Sequence, residues 1–259
     1  MTGKRRHSTQ DLNLSYWGPL SVGECASYRT IFCSTDYLTV SMQRMNEDLV
    51  TYYARRAQEY ERVYRKPERQ ADLALLADYV RQAFLDQRVI EIACGTGYWT
   101  QYVAQTARSV VATDINSAMI DVALAKNITP QNVSFRLADL YALPEPDPPF
   151  DAGFGGFIWS HISRPKLPEF LGSFHRQVKR GGTIMFIDNR YVAGSSTPMY
   201  RKDQAGDTFQ KRQLENGEEY VVLKNFPAAS ELRATLRPIA HDVQVISLTY
   251  YWMLTYRVK

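Results

Sequence analysis

The sequence predicts an α/β fold built on a mostly parallel sheet, and three observations carry that expectation. Val89 to Gly97, V-I-E-I-A-C-G-T-G, is an apolar run rich in β-branched residues that leads straight into a glycine pair. Ser109 to Thr113 is a second such run and ends at Asp114. Around them strand-like and helix-like segments alternate: strand 88–93, helix 97–107, strand 109–113, helix 117–126, strand 132–137. Helical crossovers of that kind return the chain to lay successive strands parallel.

Residues 1–41 have no helical or alternating period and scatter Gly, Pro, Ser and Thr among isolated aromatics, so they are expected to be an appendage that folding can dispense with. Tyr16, Trp17, Ile31 and Phe32 could alternatively form a lid. Periodicity begins at Met42: Met42, Met45, Leu49, Tyr53, Tyr60 and Tyr64 fall largely on one face of a helix expected to reach Arg65. Pro67 suits a first helical turn, and Leu73, Leu76, Ala77, Val80 and Phe84 predict a second helix up to Asp86. These two helices make the expected cap, residues 42–86, on a core of 87–189.

At the core's first corner, Gly95 and Gly97 can take positive φ and let a ligand lie against the backbone. A helix opening at Tyr98 would turn its N-terminal amides toward that ligand. Asp114 falls about 20 residues beyond the turn, where an acid at the tip of the second strand accepts from ribose hydroxyls. Together these point to an adenosine ligand. The third small residue of a dinucleotide fingerprint is missing, because Thr100 stands there behind Tyr98 and Trp99, and a nicotinamide oxidoreductase is accordingly disfavoured.

At this point the chain resembles the class I S-adenosylmethionine-dependent methyltransferases. Glu91, Ala93, Gly95 and Gly97 match the family's first motif, except that many members carry glycine where Ala93 stands. Asp114-Ile115-Asn116-Ser117-Ala118-Met119 looks like its second-strand acid and helix, and Ala138-Asp139-Leu140 with Leu143-Pro144 like its adenine-binding segment. Phe150-Asp151 opens the fourth strand as F-D-x commonly does there. The resemblance covers roughly Tyr52 to Lys259. It implies a Rossmann-like, doubly wound, seven-stranded sheet with an antiparallel C-terminal strand, and S-adenosylmethionine as cofactor. The cofactor would be held by Tyr53, Glu91, Ala93, Gly95, Gly97, Asp114, Ile115, Ala138, Asp139, Leu140 and Gly156. Y-Y-x-R-R-A-x-E-Y, Tyr52 to Tyr60, looks like the cap helix that lies over the cofactor in small-molecule methyltransferases.

The remaining elements follow in order. Asp147-Pro148-Pro149-Phe150 has the letters of a base-holding motif of nucleic-acid methylating enzymes, but that motif belongs after the fourth strand, and here it precedes a strand at 151–158. Residues 167–179 are expected helical, Gly181-Gly182 a turn and 183–187 the fifth strand. Asn216-Gly217 between the alternating runs 208–214 and 219–223 predicts a β-hairpin inside an insertion, 190–226. A helix at 228–236 and strands at 243–248 and 250–258 complete the C-terminal part, 227–259.

Composition excludes several classes. No apolar run approaches the roughly 18 residues of a membrane span, and no apolar region follows the basic N-terminus. The net charge of +4 indicates no phosphate-tracking surface, and no extra recognition domain is visible, which argues against nucleic-acid or protein substrates. Cys25, Cys33 and Cys94 form no close ligand pair, so no metal is expected, and an odd thiol suits a reducing cytoplasm.

The expected activity is therefore methyl transfer to O or N of a small metabolite, with a non-catalytic binding module on the same fold as the alternative. Phe157 and Trp159 suggest a flat or apolar acceptor, and Tyr64, Arg190 and Tyr191 complete its expected lining. His161, just past the fourth strand, is the first candidate for a general base or for a loop support. Asp188 and Tyr60 are the fallback bases.

Overall fold

The computed structural model describes residues 48–126 and 131–259. The expected appendage 1–41, with its lid reading and Cys25 and Cys33, and the helix start at Met42 and Met45 lie outside the described residues.

Ten strands and six α-helices are described, with short 3₁₀ turns between them. In chain order these are α1 (48–56), α2 (Gln70–Ala83), β1 (Arg88–Ile92), α3 (Thr100–Ala104), β2 (Ser109–Asp114), α4 (Ser117–Ala125) and β3 (Val133–Leu137). There follow β4 (Phe150–Gly156), α5 (Leu167–His175), β5 (Val178–Asn189), β6 (Arg201–Lys202), β7 (Thr208–Gln213), β8 (Glu219–Leu223), α6 (Ala229–Leu236), β9 (Ala240–Ser247) and β10 (Tyr251–Val258).

Seven strands form one sheet in the order β3-β2-β1-β4-β5-β10-β9. β1 to β5 pair in parallel, and β10 runs antiparallel to both of its neighbours. This is the Rossmann-like α/β architecture that the alternation and the resemblance imply. The period of two along β1 shows why the sheet is doubly wound: Val89 packs into the layer of α2 and α3, and Ile90 and Ile92 into that of α5 and α6. One layer buries Leu76, Val80 and Phe84, the other Phe170, Phe174, Leu232 and Leu236.

Three elements differ from expectation. The first helix is α-helical only to residue 56 and continues as a 3₁₀ helix, Ala57–Arg65. At three residues per turn Ala57, Tyr60 and Val63 fall in one row on its inner side. α3 is five residues long and starts at Thr100, because Tyr98 is taken up in a stack on Tyr64 (ring centroids 3.8 Å) and Trp99 in the core. A helix that short offers no N-terminal anion site of the kind expected at Tyr98. Gly181-Gly182 is a bulge inside β5 and not a turn before it. The register against β4 shifts there, and a Cβ on Gly182 would meet the Asp151 carbonyl oxygen at 2.6 Å.

The hairpin β7–β8 forms as Asn216-Gly217 predicts, joined by β6 in a separate three-stranded sheet. It packs on the cap through a small core of Tyr52, Leu214 and Val222, edged by the ion pairs Arg55–Glu218 and Arg62–Glu215. Cap and hairpin thus roof the strand ends. No helix among the described residues is long and apolar enough to cross a membrane.

Candidate functional site

In the order β3-β2-β1-β4-β5 the direction of winding reverses between β1 and β4, and in open α/β sheets a crevice opens at the carboxyl ends of such a pair. Two chambers lie there. They share Tyr53, Tyr60, Phe157 and His161 as a common wall.

The first chamber is floored by Ala93 and Gly95 after β1, Asp114 at the end of β2 and Gly156 at the end of β4. Ile115, Met119, Ala138 and Leu140 make an apolar end, Asp139 stands on the same side, and Tyr53 and Tyr60 close it from the cap. Asp114 Oδ2 accepts from the Gly95 amide (2.8 Å) and Oδ1 from the Asn116 amide (2.9 Å). Burial raises its pKa, and those amides oppose the rise. An ionised carboxylate has about four acceptor positions, and with the Ile115 amide also engaged one is left for a ligand in the chamber that Asp114 lines.

A Cβ on Gly95 would come within 3.9 Å of Tyr60, in the gap between the turn and the cap. An open carboxylate, an apolar slot beside it and a backbone cradle fit a ribose, an adenine and an amino-acid tail in that order. Ala93 sits at φ +50, a left-handed conformation that glycine takes without strain. The departure from the family's usual glycine is thus a locally strained one.

The second chamber is polar. Arg56, Tyr64, Lys66 and Arg69 come from the cap and the segment after it, and Gln210, Arg212 and Lys224 from the inserted sheet. Asn189 ends β5 and Ser195 follows it, and the rings of Phe226 and Tyr251 complete the lining. Among the described residues no Asp or Glu lines it.

His161 stands between the chambers in a fixed state. Its Nδ1 lies 2.7 Å from the Leu223 carbonyl, which can only accept, so Nδ1 carries the hydrogen. Nε2 is then bare and accepts from the Tyr53 hydroxyl at 2.9 Å. Burial, reinforced by Lys224, lowers the imidazole to about 3, so the ring is neutral at ordinary pH. It ties the loop after β4 to the inserted sheet and to the cap. Burial likewise raises the pKa of Tyr53 and of Tyr60, whose hydroxyls stay protonated.

Other expected site residues lie elsewhere. Asp188 is fully buried and outside both chambers. It accepts from the Ser160 and Asn189 amides and pairs with Lys224 at 3.1 Å. Burial pushes its carboxyl up, but Lys224, His161 and those amides bring it below its usual range, and an ionised carboxylate so fully engaged is no base. Trp159 is 3% exposed and packs edge-on to Phe186 and Trp252 in the α5–α6 layer, whereas Phe157, two residues earlier at φ +61, turns to the chambers. Glu91 shares the orientation of Val89. Burial raises it to about 8, and its Oε2 has no partner among the described residues. Gly97 shapes the turn through its amide on the Cys94 carbonyl but reaches neither chamber. Arg190 is bonded to the Leu248 carbonyl, and Tyr191 packs on Phe226 at the surface, so neither lines the acceptor side. Tyr64 lines the second chamber only.

The cations of the second chamber were not among the expected site residues. One signal was in the cap motif itself, whose R-R pair, Arg55-Arg56, places one arginine at the hairpin and the other inside. Lys224, directly after a strand and 4% exposed, had none.

Comparison with known proteins finds relatives among methyltransferases. Residues 89–182 match the family model described as a methyltransferase domain. The malonyl-[acyl-carrier protein] O-methyltransferase of Serratia marcescens is 26% identical over 157 residues, 61% of this chain and 54% of that protein. The demethylmenaquinone methyltransferase of Tropheryma whipplei is 30% identical over 115 residues, 44% of this chain and 47% of that one. The chain thus spans about half the length of these curated relatives. Among solved structures, the DhpI–SAM–HEP complex is similar at a TM-score of 0.67 and 26% identity, covering 82% of this chain and 97% of that one.

Proposed function

We propose, from the premise that the chain belongs to the class I S-adenosylmethionine-dependent methyltransferases, that it moves a methyl group from S-adenosylmethionine to an oxygen or nitrogen of a small molecule. One observation carries the reading: a chamber built for a nucleoside shares a single wall, Tyr53, Tyr60, Phe157 and His161, with a second chamber of different chemistry. Asp114 would hold the ribose hydroxyls, Ile115, Ala138 and Leu140 the adenine, and Gly95 and Tyr53 the amino-acid end.

When bound, S-adenosylmethionine supplies a methyl carbon already activated as a sulfonium. What remains for the chain is alignment and exclusion of water. The cap and the shared wall are placed for both tasks. With Trp159 removed from the acceptor side, Phe157, Tyr64, Phe226 and Tyr251 remain as support for a flat or apolar part of the acceptor.

Calorimetric titration tests the cofactor assignment. Asp114→Ala should lose about 1.5 to 3 kcal/mol, roughly ten- to a hundredfold in affinity for S-adenosylmethionine. Unchanged affinity would reject the role of Asp114, and tighter binding of NAD would reject the cofactor. Transfer of a labelled methyl group to a panel of metabolites separates an enzyme from a binding module.

A further inference from the structure

We infer that the second chamber receives the oxyanion of a small acid, a carboxylate or a phosphoryl group, and that this oxygen is itself the methyl acceptor. The inference rests on the methyl-transfer reading above and names its substrate class.

Five cations converge on this chamber from separate parts of the chain, and of these five only Lys224 is ion-paired to a described residue. The other four meet neutral groups. Arg56 donates to the Tyr52 hydroxyl, Lys66 to the Ser195 carbonyl and Arg69 to Asn189 and Ser195. Arg212 donates to Gln210, and its Nε is buried without a partner. Glu68, the acid beside this group, is exposed, bonds to Ser195 and does not line the chamber. Burial first, and then the charge of Arg69, lowers the pKa of Lys66, as expected of like charges held together. Like charges gathered in a cleft are unfavourable unless an anion enters, and guanidinium groups suit carboxylate and phosphoryl oxygens.

Two of these cations reach the shared wall. Arg56 lies over the Tyr60 ring at 5.9 Å, and Arg212 lines the same chamber as Tyr53 and His161. An oxyanion between them meets the place where the methyl group must cross. No base is free on this path, since His161 Nε2 is taken by Tyr53 and Asp188 by Lys224. A neutral alcohol or an ammonium would have to shed a proton that no residue is placed to accept, whereas an oxyanion arrives without one. Its oxygen forms the new O–CH₃ bond, the C–S bond breaks with its electron pair kept by sulfur, and a methyl ester and S-adenosylhomocysteine result with no proton released. Cations on the remaining oxygens hold the acid in place.

The test is labelled-methyl transfer by the whole protein to phenylacetate and phenylphosphonate, to the neutral phenylacetamide and 2-phenylethanol and to phenethylamine, followed by a wider set of carboxylic, phosphoric and phosphonic acids. Methyl esters of acids are expected, and whether carboxylic or phosphoryl acids react decides between the two sources. Arg212→Met and Arg56→Met should each lower kcat/KM for the acid tenfold or more with S-adenosylmethionine affinity unchanged within about twofold, and Arg212→Lys should restore part of it. Transfer to neutral or amine acceptors alone overturns the inference. So does acid turnover indifferent to both arginine variants, or a protein that binds the cofactor and methylates no acid. Failure to bind S-adenosylmethionine would instead refute the methyl-transfer reading on which the inference depends.

Discussion

The two chambers share a wall and little else. The first is made of backbone turns and small side chains at the ends of β1, β2 and β4, and its Asp114 carboxylate is fixed by amides within its own neighbourhood. The second is made of long cationic side chains from the cap, the segment after it and the insertion, separated by up to 168 positions in the chain, Arg56 to Lys224. Binding a constant cofactor requires a cradle that backbone geometry supplies. In the proposed reading the acceptor is held by charges that the wrapping of distant segments brings together.

That contrast can be broken most severely at Lys224, which joins the inserted sheet to Asp188 at the end of β5. Lys224→Met leaves a buried carboxylate unpaired and should cost about 3 to 5 kcal/mol in chemical denaturation. Most of that loss should return when Asp188→Leu is added, because the unpaired charge is gone. A loss under about 1 kcal/mol would mean that the pair does not lock the insertion down.

Trp159 and Phe157 offer a comparison within one loop. Trp159→Ala should lower stability by about 3 to 5 kcal/mol with ligand affinities nearly unchanged, since the ring lies in the α5–α6 layer away from both chambers. Phe157→Ala should do the reverse in kind and weaken both ligands, because its ring belongs to the shared wall. Equal effects of the two variants on binding would dissolve the distinction between the faces.

His161 sharpens the comparison through pH. Its folded pKa of about 3 lies below an unfolded value of about 6.5, so the unfolded chain takes up the proton first as pH falls. The stability that neutral His161 contributes is fully present above about pH 6.5 and is lost as pH falls from there toward 3. His161→Gln, which cannot titrate, should lose about 1 to 3 kcal/mol at pH 7 and show a shallower fall below pH 6 than the parent chain. Parallel curves would refute the buried neutral state. Turnover of the parent should show no limb due to His161 between pH 6 and 9, and one there would restore it as a base.

The smallest effect is expected at the glycine turn. Ala93→Gly relieves a left-handed alanine while adding chain entropy to the unfolded state, and it should raise stability by no more than about 1 kcal/mol. A clear destabilisation would mean that the methyl group of Ala93 packs usefully in the first chamber.

The fold and the first chamber were legible because their signals are local. An apolar run, a glycine turn and an acid at the next strand's end encode strand, corner and the carboxylate that lines the first chamber within some 25 consecutive residues, Val89 to Asp114. Asn216-Gly217 encodes its hairpin in the same way. Where a short-range pattern had two physical solutions, the letters did not choose. Gly181-Gly182 could turn the chain or bulge a strand, and the choice was made by how closely Asp151 approaches in β4. Tyr98 could open a helix, but Tyr64, 34 positions earlier, holds it in a stack. For Phe157 and Trp159, the left-handed residue ending β4 decided which ring faces ligand and which faces core.

Sequence by itself determined the alternating α/β order, the doubly wound sheet and the place of Asp114 at the end of β2, since propensity, turn chemistry and hydrophobic period act over a few residues. Tertiary structure alone decided that Asp188 is half of a buried ion pair, that His161 is a neutral link and that five arginines and lysines share a cleft. Those states depend on burial and on charges within a few ångströms, and such distances between residues far apart in the chain exist only once it has folded.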